Sequence, residues 1–488
     1  MTSGLDLRRV ESALVDLANL DFTADEMRAM AGAVVARAVA HMSALDTAPA
    51  CGDVQAEALC RSLREPAPAR PADLEALLGP LFDEWVPRSF TAPGPGYLAY
   101  IPGGGVYPAA LADLIANTTN RYTGVWQAAP VLLQLEANAL EWLREWMQFP
   151  PTARGLFTRG GSMSNFSAIV CARERHLGVD VRRGTLYTSS QAHHCVLKAA
   201  KLAGIFPDRV RRVGVDADFR MRVDELGGAV AADRAAGLTP FAVVSSAGTT
   251  NTGAVDPLEA IGEYCAREQL WHHVDGAYGA FFHAVPALRS LLAGLPAADS
   301  LTLDPHKGLF LPYGTGSLLV RDGEALRRAH AIDASYMPPM QESRDLVDFC
   351  LYSPELSRDF RGLRVWLPFK MCGMGPFRSN LREKLELAAW AADQLRSIAG
   401  IEIVAEPQLS IVAFRLSSPD SDIEAENRLN RLLLEKVNMR KRVYLTATML
   451  RGRFVLRICV LSFRTHRDRV HACIEDIRAA VRELQFAG

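Results

Sequence analysis

The stretch SLTLDPHKGLF, Ser300 to Phe310, decides how the rest of the chain is interpreted. An alternating Leu-Thr-Leu segment leads into Asp304 and the pair His306-Lys307, and the apolar residues from Leu309 onward follow at once. Lysine is among the residues that proteins rarely bury completely. A lysine between two apolar segments at a strand end therefore indicates a chemical role.

The composition is that of a globular protein with a substantial core. Of its 488 residues 49% are hydrophobic, and the formal net charge of −1 gives no reason to expect nucleic acid or an anionic membrane as a partner. The nine cysteines form no C-x-x-C pair and no Cys/His metal spacing, which favours free thiols in the cytoplasm. The first residues, MTSGLDLRRVESALVDL, carry charges where a signal peptide needs an apolar run. We therefore expect a cytoplasmic protein without a bound metal.

Short apolar runs alternate with helical segments on the N-terminal side of this stretch. This alternation is typical of βα units and predicts an α/β fold with a mostly parallel sheet and helices on both faces. Apolar positions at helical spacing from Pro130 to Met147 predict an amphipathic helix. The predicted strands are GLFTRGG, TLYTSS, FAVVSSAG, LWHHVDGAY and SLTLDPHK.

The C-terminal part has a different pattern, which predicts a small α/β domain. We expect three regions: an N-terminal helical segment with an interface loop over 1–106, a large cofactor-binding domain over 107–375, and the small domain over 376–488. The predicted elements of the small domain are a helix over Leu381 to Ile398, strands over Leu409 to Leu416, Val443 to Ala447 and Phe454 to Leu461, a helix near Glu424 to Val437, and a last helix from Arg467.

Five predicted strand ends carry side chains suited to chemistry, and ligands bind at the carboxyl ends of parallel strands. The first four also have an ordinary structural interpretation: a helix cap for the first and fourth, a structural histidine for the second, and a turn for the third. The five are the Gly- and Ser-rich stretch Thr158 to Asn165, the pair His193-His194, the hydroxyl-rich loop Ser246 to Gly253, the stretch His273 to Tyr278 with Asp275, and Lys307.

Taken together, the five strand ends point to one cofactor. A lysine can form a Schiff base with an aldehyde cofactor, of which pyridoxal phosphate (PLP) is the common one. PLP needs an anion site for its phosphate, which Gly160 to Ser164 can supply at a helix N-terminus. It also needs an acid beside the pyridine nitrogen, for which Asp275 is suited, and a flat group over the ring, supplied by His193 or His194. Because the amine would be an imine, Lys307 would avoid the cost of a free buried charge.

These motifs resemble those of the group II PLP-dependent decarboxylases, the family of aromatic-L-amino-acid, histidine and glutamate decarboxylases. The resemblance runs from roughly Tyr97 to Trp366 and is carried by Gln191-Ala192-His193, His273 to Tyr278 and Asp304 to Lys307. It implies the aspartate-aminotransferase-like fold of PLP enzymes, called fold type I. It also implies decarboxylation of an L-amino acid to its amine and CO₂, in a homodimer with shared active sites.

The resemblance also implies a role for individual residues. Catalytic roles fall on Lys307, His193, Asp275 and Tyr336, the last as the acid that protonates the substrate Cα. The other implied cofactor contacts are Gly161, Ser162, Met163, Thr249, Ala277, Asp304 and His306. The implied substrate contacts are Tyr100, Ile101, Pro102, Tyr122 and Ser357.

Three departures from the family pattern fall near the expected pocket. Gly308 stands where the family usually has Trp, and Gly314-Thr315-Gly316 replaces an Asp-Cys/Ser pair. Gly124 stands where aromatic decarboxylases tend to carry a bulky aromatic residue, which would enlarge the pocket. Ser357 would narrow the pocket and offer a hydroxyl to a phenol or imidazole. We therefore expect an aromatic substrate, phenolic ahead of tryptophan.

Alternative activities on the same fold stay open. An aldehyde synthase of this family would couple CO₂ loss to oxidative deamination, but Phe is typical where this chain has Tyr336. An aminotransferase would use Lys307 to move a proton from Cα. A regulator with the same fold would bind PLP without turnover.

Overall fold

The computed structural model describes residues 20–52, 56–332, 343, 346–417 and 422–486. Contacts divide the chain into two units that meet in sequence between Phe90 and Thr91. The predicted division at 106/107 and 375/376 stays a prediction.

The first unit is helical in its described part. Its longest helix, α1, starts after Thr23, whose hydroxyl accepts from the backbone of Glu26 while the Glu26 carboxylate accepts from the backbone N–H of Thr23. This reciprocal capping fixes the start of the helix. No residue of α1 is buried. The helices are α1 (Ala24–Ala44), α2 (Glu57–Ser62) and α3 (Leu74–Pro80).

The second unit is built on a seven-stranded sheet with the order β1-β7-β6-β5-β4-β2-β3. Only β7 runs opposite to its neighbours β1 and β6, so the prediction of a mostly parallel sheet is confirmed. The strands are β1 (Arg154–Thr158), β2 (Gly184–Ser189), β3 (Val210–Val213), β4 (Thr239–Ser246), β5 (Trp271–Asp275), β6 (Ser300–Leu303) and β7 (Gly316–Val320).

Both faces of this sheet are covered. Leu318 and Val320 of β7 belong to one buried apolar cluster, while Leu319 belongs to another, as expected when alternate side chains of a strand point to opposite faces. Burial on both faces explains why the strands read as continuous apolar runs. The helices around the sheet are α4 (Tyr107–Thr119), α5 (Pro130–Trp146), α6 (Gly161–His176), α7 (Cys195–Leu202), α8 (Val223–Ala235), α9 (Leu258–Glu268), α10 (Pro305–Gly308) and α11 (Gly323–His330).

The C-terminal residues form a separate four-stranded antiparallel sheet with the order β10-β11-β9-β8. The predicted strand over Val443 to Ala447 lies slightly later in the structure, because a tight turn at Arg451 and Gly452, both with positive φ, joins β10 directly to β11. The elements are α12 (Leu363–Cys372), α13 (Gly375–Arg396), β8 (Ile401–Ala405), β9 (Ile411–Leu416), α14 (Ile423–Met439), β10 (Thr446–Leu450), β11 (Arg453–Cys459) and α15 (Arg467–Phe486). None of the described helices is long and apolar enough to span a bilayer.

Candidate active site

A cavity of about 640 Å³ opens at the carboxyl ends of the parallel strands. The predicted strand ends meet there, as the topology of a doubly wound sheet requires. All ten residues predicted to contact the cofactor line this cavity: Gly161, Ser162, Met163, His193, Thr249, Asp275, Ala277, Asp304, His306 and Lys307. In the described part of the chain, no group of three His, Cys, Asp or Glu side chains is arranged to hold a metal ion.

Lys307 reaches the cavity from α10, the single helical turn after β6. Its Nζ lies 2.9 Å from Asp304 Oδ2. Burial alone would lower the pKa of Lys307, but the charges of Asp304 and Asp275 outweigh that effect and the net shift is upward. The Lys307 ammonium, whose side chain is 23% exposed, is therefore balanced by a carboxylate three residues earlier in the chain.

Asp275 lies at the end of β5 and is 8% exposed. Its Oδ2 accepts a hydrogen bond from Asn165 Nδ2 at 2.9 Å, and its Oδ1 accepts one from the Ala277 N–H at 3.2 Å. Two donors thus fix the orientation of the carboxylate. Asn165 is the last residue of the Gly- and Ser-rich stretch Thr158 to Asn165, but nothing in the sequence indicated a role for its side chain.

His193 follows β2, and its Nδ1 accepts a hydrogen bond from the backbone N–H of Cys195 at 3.3 Å. In the neutral ring the proton is therefore on Nε2. Burial lowers the pKa of His193, an effect that the negative charge of Asp275 opposes. His193 lines the cavity whereas its neighbour His194 is exposed, so of the two candidate histidines the structure favours His193.

The start of α6 has the features of an anion site. Gly160 has a φ of 135°, which a residue with a side chain rarely adopts, and no side chain caps the first turn of the helix. A Cβ on Gly161 would lie 3.0 Å from Asp304 Oδ2 and 3.1 Å from Ala277 Cβ, so the backbone approaches the cavity closely. Free N–H groups at a helix N-terminus bind phosphate. Together with Lys307, Asp275 and His193, this cradle fits PLP.

The predicted substrate residues lie elsewhere. Among the described residues that line the cavity, none is Tyr100, Ile101, Pro102, Tyr122 or Ser357. Ser357 is exposed and Ile101 is buried, and the Tyr122 hydroxyl donates to the Leu356 carbonyl at 3.1 Å. Tyr336 lies outside the described residues, and its predicted role stays a prediction.

Arg457 is a second residue that the sequence did not single out. It is 3% exposed, and its guanidinium donates to the carbonyls of Asn251 and Tyr100 at 2.8 and 3.3 Å and to Thr446 Oγ1 at 3.1 Å. Burial lowers its pKa. The side chain ties the cavity loop that follows β4 to Tyr100 and to β10. No motif near position 457 pointed to this role.

Comparison with known proteins agrees with this geometry. Residues 57–417 match the family model described as the pyridoxal-dependent decarboxylase conserved domain. An aromatic-L-amino-acid decarboxylase from Bacillus atrophaeus is 33% identical over 96% of this chain and 98% of its own. A tryptophan decarboxylase from Camptotheca acuminata is 31% identical over 93% of this chain and 94% of its own.

Solved structures resemble the whole chain as well. The crystal structure of Oryza sativa TDC with PLP and tryptamine superimposes with a TM-score of 0.91, at 27% identity, over 96% of this chain and 100% of that one. The structure of Catharanthus roseus tryptophan decarboxylase in complex with L-tryptophan gives 0.89 at 28% identity, with the same coverage.

Proposed function

The chain belongs to the pyridoxal-dependent decarboxylase family, and from this premise we propose that it converts an aromatic L-amino acid to the corresponding amine and CO₂. One observation carries the assignment to the cavity: Lys307, Asp275, His193 and the uncapped start of α6 come from four separate segments and line one space. The relatives named above, which act on aromatic amino acids by name, support the aromatic substrate.

We assign the cofactor contacts as follows. Lys307 would hold PLP through its Nζ, and the start of α6, from Gly161 to Met163, would receive the phosphate. Asp275 would accept a hydrogen bond from the protonated ring nitrogen. When bound, PLP supplies an electron sink for the electron pair that remains when CO₂ leaves. The remaining contacts come from Thr249, Ala277, Asp304 and His306.

Side chains of the protein itself supply protons to the substrate. His193 offers its Nε2 proton within the cavity, since its Nδ1 is occupied by the Cys195 N–H. Loss of hydration by the substrate carboxylate on entering the cavity would favour its departure as CO₂. Tyr336 is proposed to return a proton to Cα, on the basis of the family resemblance alone.

A panel of L-amino acids tests the substrate assignment. Relative kcat/KM for tyrosine or dopa, tryptophan, histidine and glutamate should rank phenolic substrates first, with CO₂ and amine released in equal amounts. Aldehyde and ammonia in place of amine would indicate the synthase reaction, and keto acid without CO₂ an aminotransferase. A clear preference for glutamate or an aliphatic amino acid would contradict the aromatic assignment while leaving decarboxylation intact.

We further propose a cytoplasmic homodimer with shared active sites. Helix α1 exposes Met27, Val34, Val35 and Val39 and buries no residue, a pattern that suits a surface covered by another chain. The uncharged stretch 89–112 and the loop 117–126 suit an interface as well. In a dimer with shared sites, the predicted substrate residues of one copy could line the cavity of the other. This would explain why they do not line the cavity of their own chain. All nine cysteines are free, which suits a reducing compartment.

A further inference from the structure

A buried chain of hydrogen bonds ends at Asp275. Trp271 Nε1 lies 2.8 Å from Ser300 Oγ, and Ser300 Oγ lies 2.8 Å from His273 Nδ1. His273 Nε2 lies 2.8 Å from Asn165 Oδ1, and Asn165 Nδ2 lies 2.9 Å from Asp275 Oδ2. None of the five residues is more than 8% exposed, so water does not compete for these bonds.

The residues at the two ends of this hydrogen-bond series, Trp271 and Asp275, fix the direction of every hydrogen bond in it. An indole N–H can only donate and a carboxylate can only accept. Asn165 therefore donates to Asp275 through Nδ2, and its Oδ1 accepts from His273, whose proton is on Nε2. In the neutral ring Nδ1 can only accept, so the Ser300 hydroxyl donates to it and accepts from Trp271. Burial lowers the pKa of His273 to about 4, against the opposing effect of Asp275, so the ring is neutral at physiological pH.

The orientation of the Asn165 amide follows from its neighbours. Its Oδ1 accepts a second hydrogen bond from the Thr302 hydroxyl at 2.7 Å, and its Nδ2 also donates to Cys195 Sγ at 3.1 Å. A flipped amide would place its oxygen against the Asp275 carboxylate. The Asn165 amide accepts hydrogen bonds at its oxygen and donates them at its nitrogen. It does not transfer a proton, because neither atom titrates in the physiological range.

We propose that Asn165 is a positioning residue: it holds the Asp275 carboxylate in one orientation toward the cavity and separates it from the proton of His273. The inference rests on the proposed function, in which Asp275 accepts from the PLP ring nitrogen. Asn165 acts on that contact through Asp275 and touches neither substrate nor reacting atoms.

The test uses the full chain loaded with ¹⁵N-labelled PLP. The ring-nitrogen resonance reports protonation and hydrogen bonding at the atom that Asp275 is proposed to contact, and titration with PLP gives its dissociation constant. The variants are Asn165→Ala, Asn165→Asp and the control Ser167→Ala. Ser167 lies in the same helix, and its buried hydroxyl has no hydrogen-bond partner in the described part of the chain.

The two Asn165 variants should differ in their response to pH. Asn165→Ala removes a donor to a charged acceptor, so it should weaken PLP binding about tenfold or more at every pH and shift the resonance. Asn165→Asp places two carboxyl groups side by side, so at about pH 8 it should behave like the alanine variant. Near about pH 5.5 the introduced carboxyl group takes up a proton and can donate again, so affinity and resonance should return toward wild type.

Three outcomes would overturn the inference. The first is a wild-type resonance and affinity in Asn165→Ala, and the second is an Asn165→Asp variant without recovery at acid pH. The third is a Ser167→Ala control that changes as much as Asn165→Ala, since the effect would then be general disturbance of α6. A wild-type protein that takes up no PLP would instead refute the proposed function.

Discussion

Gly308, directly after Lys307, provides a quantitative test of how the core beside the site is packed. The family usually has Trp at this position, yet a Cβ on Gly308 would lie 2.7 Å from both Cβ and Cδ2 of Phe281. Carbon atoms in good contact are about 3.5–4.0 Å apart, so Gly308→Ala must displace one of the two residues by about 1 Å. Phe281 is fully buried and packs edge-on against Trp146, so it has little room to yield.

Overpacking of this kind costs about 1–3 kcal/mol. With an unfolding entropy of about 2 cal/mol/K per residue, that cost lowers the melting temperature by about 1–3 °C in a chain of this size. Phe281→Ala alone should cost about 3–5 kcal/mol, because it leaves a cavity. Phe281→Ala removes the contact with Cδ2 but keeps Cβ, which can shift into the cavity left by the ring, so Gly308→Ala should cost less in that background than in the wild type.

The coupling between positions 308 and 281 is measured by thermal unfolding at one scan rate. The four proteins compared are the wild type, Gly308→Ala, Phe281→Ala and the double variant. Gly228→Ala is the matched control, because nothing lies within 4 Å of the added Cβ and the position is inside α8. It should leave the melting temperature unchanged or raise it slightly. If Gly308→Ala lowers the melting temperature equally with and without Phe281, the two residues do not share one space and the packing argument is wrong.

Three further predictions concern the site and the assembly. Lys307→Ala should abolish the visible absorbance that borohydride bleaches in the wild type; a variant that keeps a reducible band would exclude Lys307 as the attachment point. Asp275→Asn should retain PLP but lose about a hundredfold or more in kcat, because the charge beside the ring nitrogen is gone and the new amide meets the Ala277 N–H or the Asn165 amide as a second donor. Near-normal turnover would remove Asp275 from the mechanism. Sedimentation should show a homodimer, and a fully active monomer would contradict the shared site.

The sequence predicted those elements whose signal is local. Strands buried on both faces have continuous apolar sequences, and the proposed site residues Asp275, His193 and Lys307 follow at or just after their carboxyl ends, so these candidates could be named without a structure. β3 was not predicted because its sequence, VRRV, places two arginines in an edge strand. β7 was not predicted either, because GSLLV is short and follows the turn residues of the preceding loop.

The roles of Asn165 and Arg457 could not be predicted in the same way. Asn165 meets Asp275 only because α6 packs beside β5, 110 positions further along the chain. Arg457 meets Tyr100 across 357 positions. Neither contact leaves a periodic pattern or a motif, because both depend on how distant elements pack together.

The packing around Gly124 and Gly308 changes the interpretation of these two departures from the family pattern. From the sequence, Gly124 would enlarge the pocket, yet a Cβ there would meet the Tyr122 hydroxyl, which already occupies that space. Gly308 is matched in the same way by Phe281. In both places an aromatic side chain already fills the space beside the glycine, so the missing side chain leaves no void. An added Cβ at either position would overpack its surroundings, which typically destabilises a core. Neither glycine is among the described residues that line the cavity, so a substitution at Gly124 or Gly308 should be interpreted together with its aromatic neighbour and should act on the substrate only by displacing that neighbour.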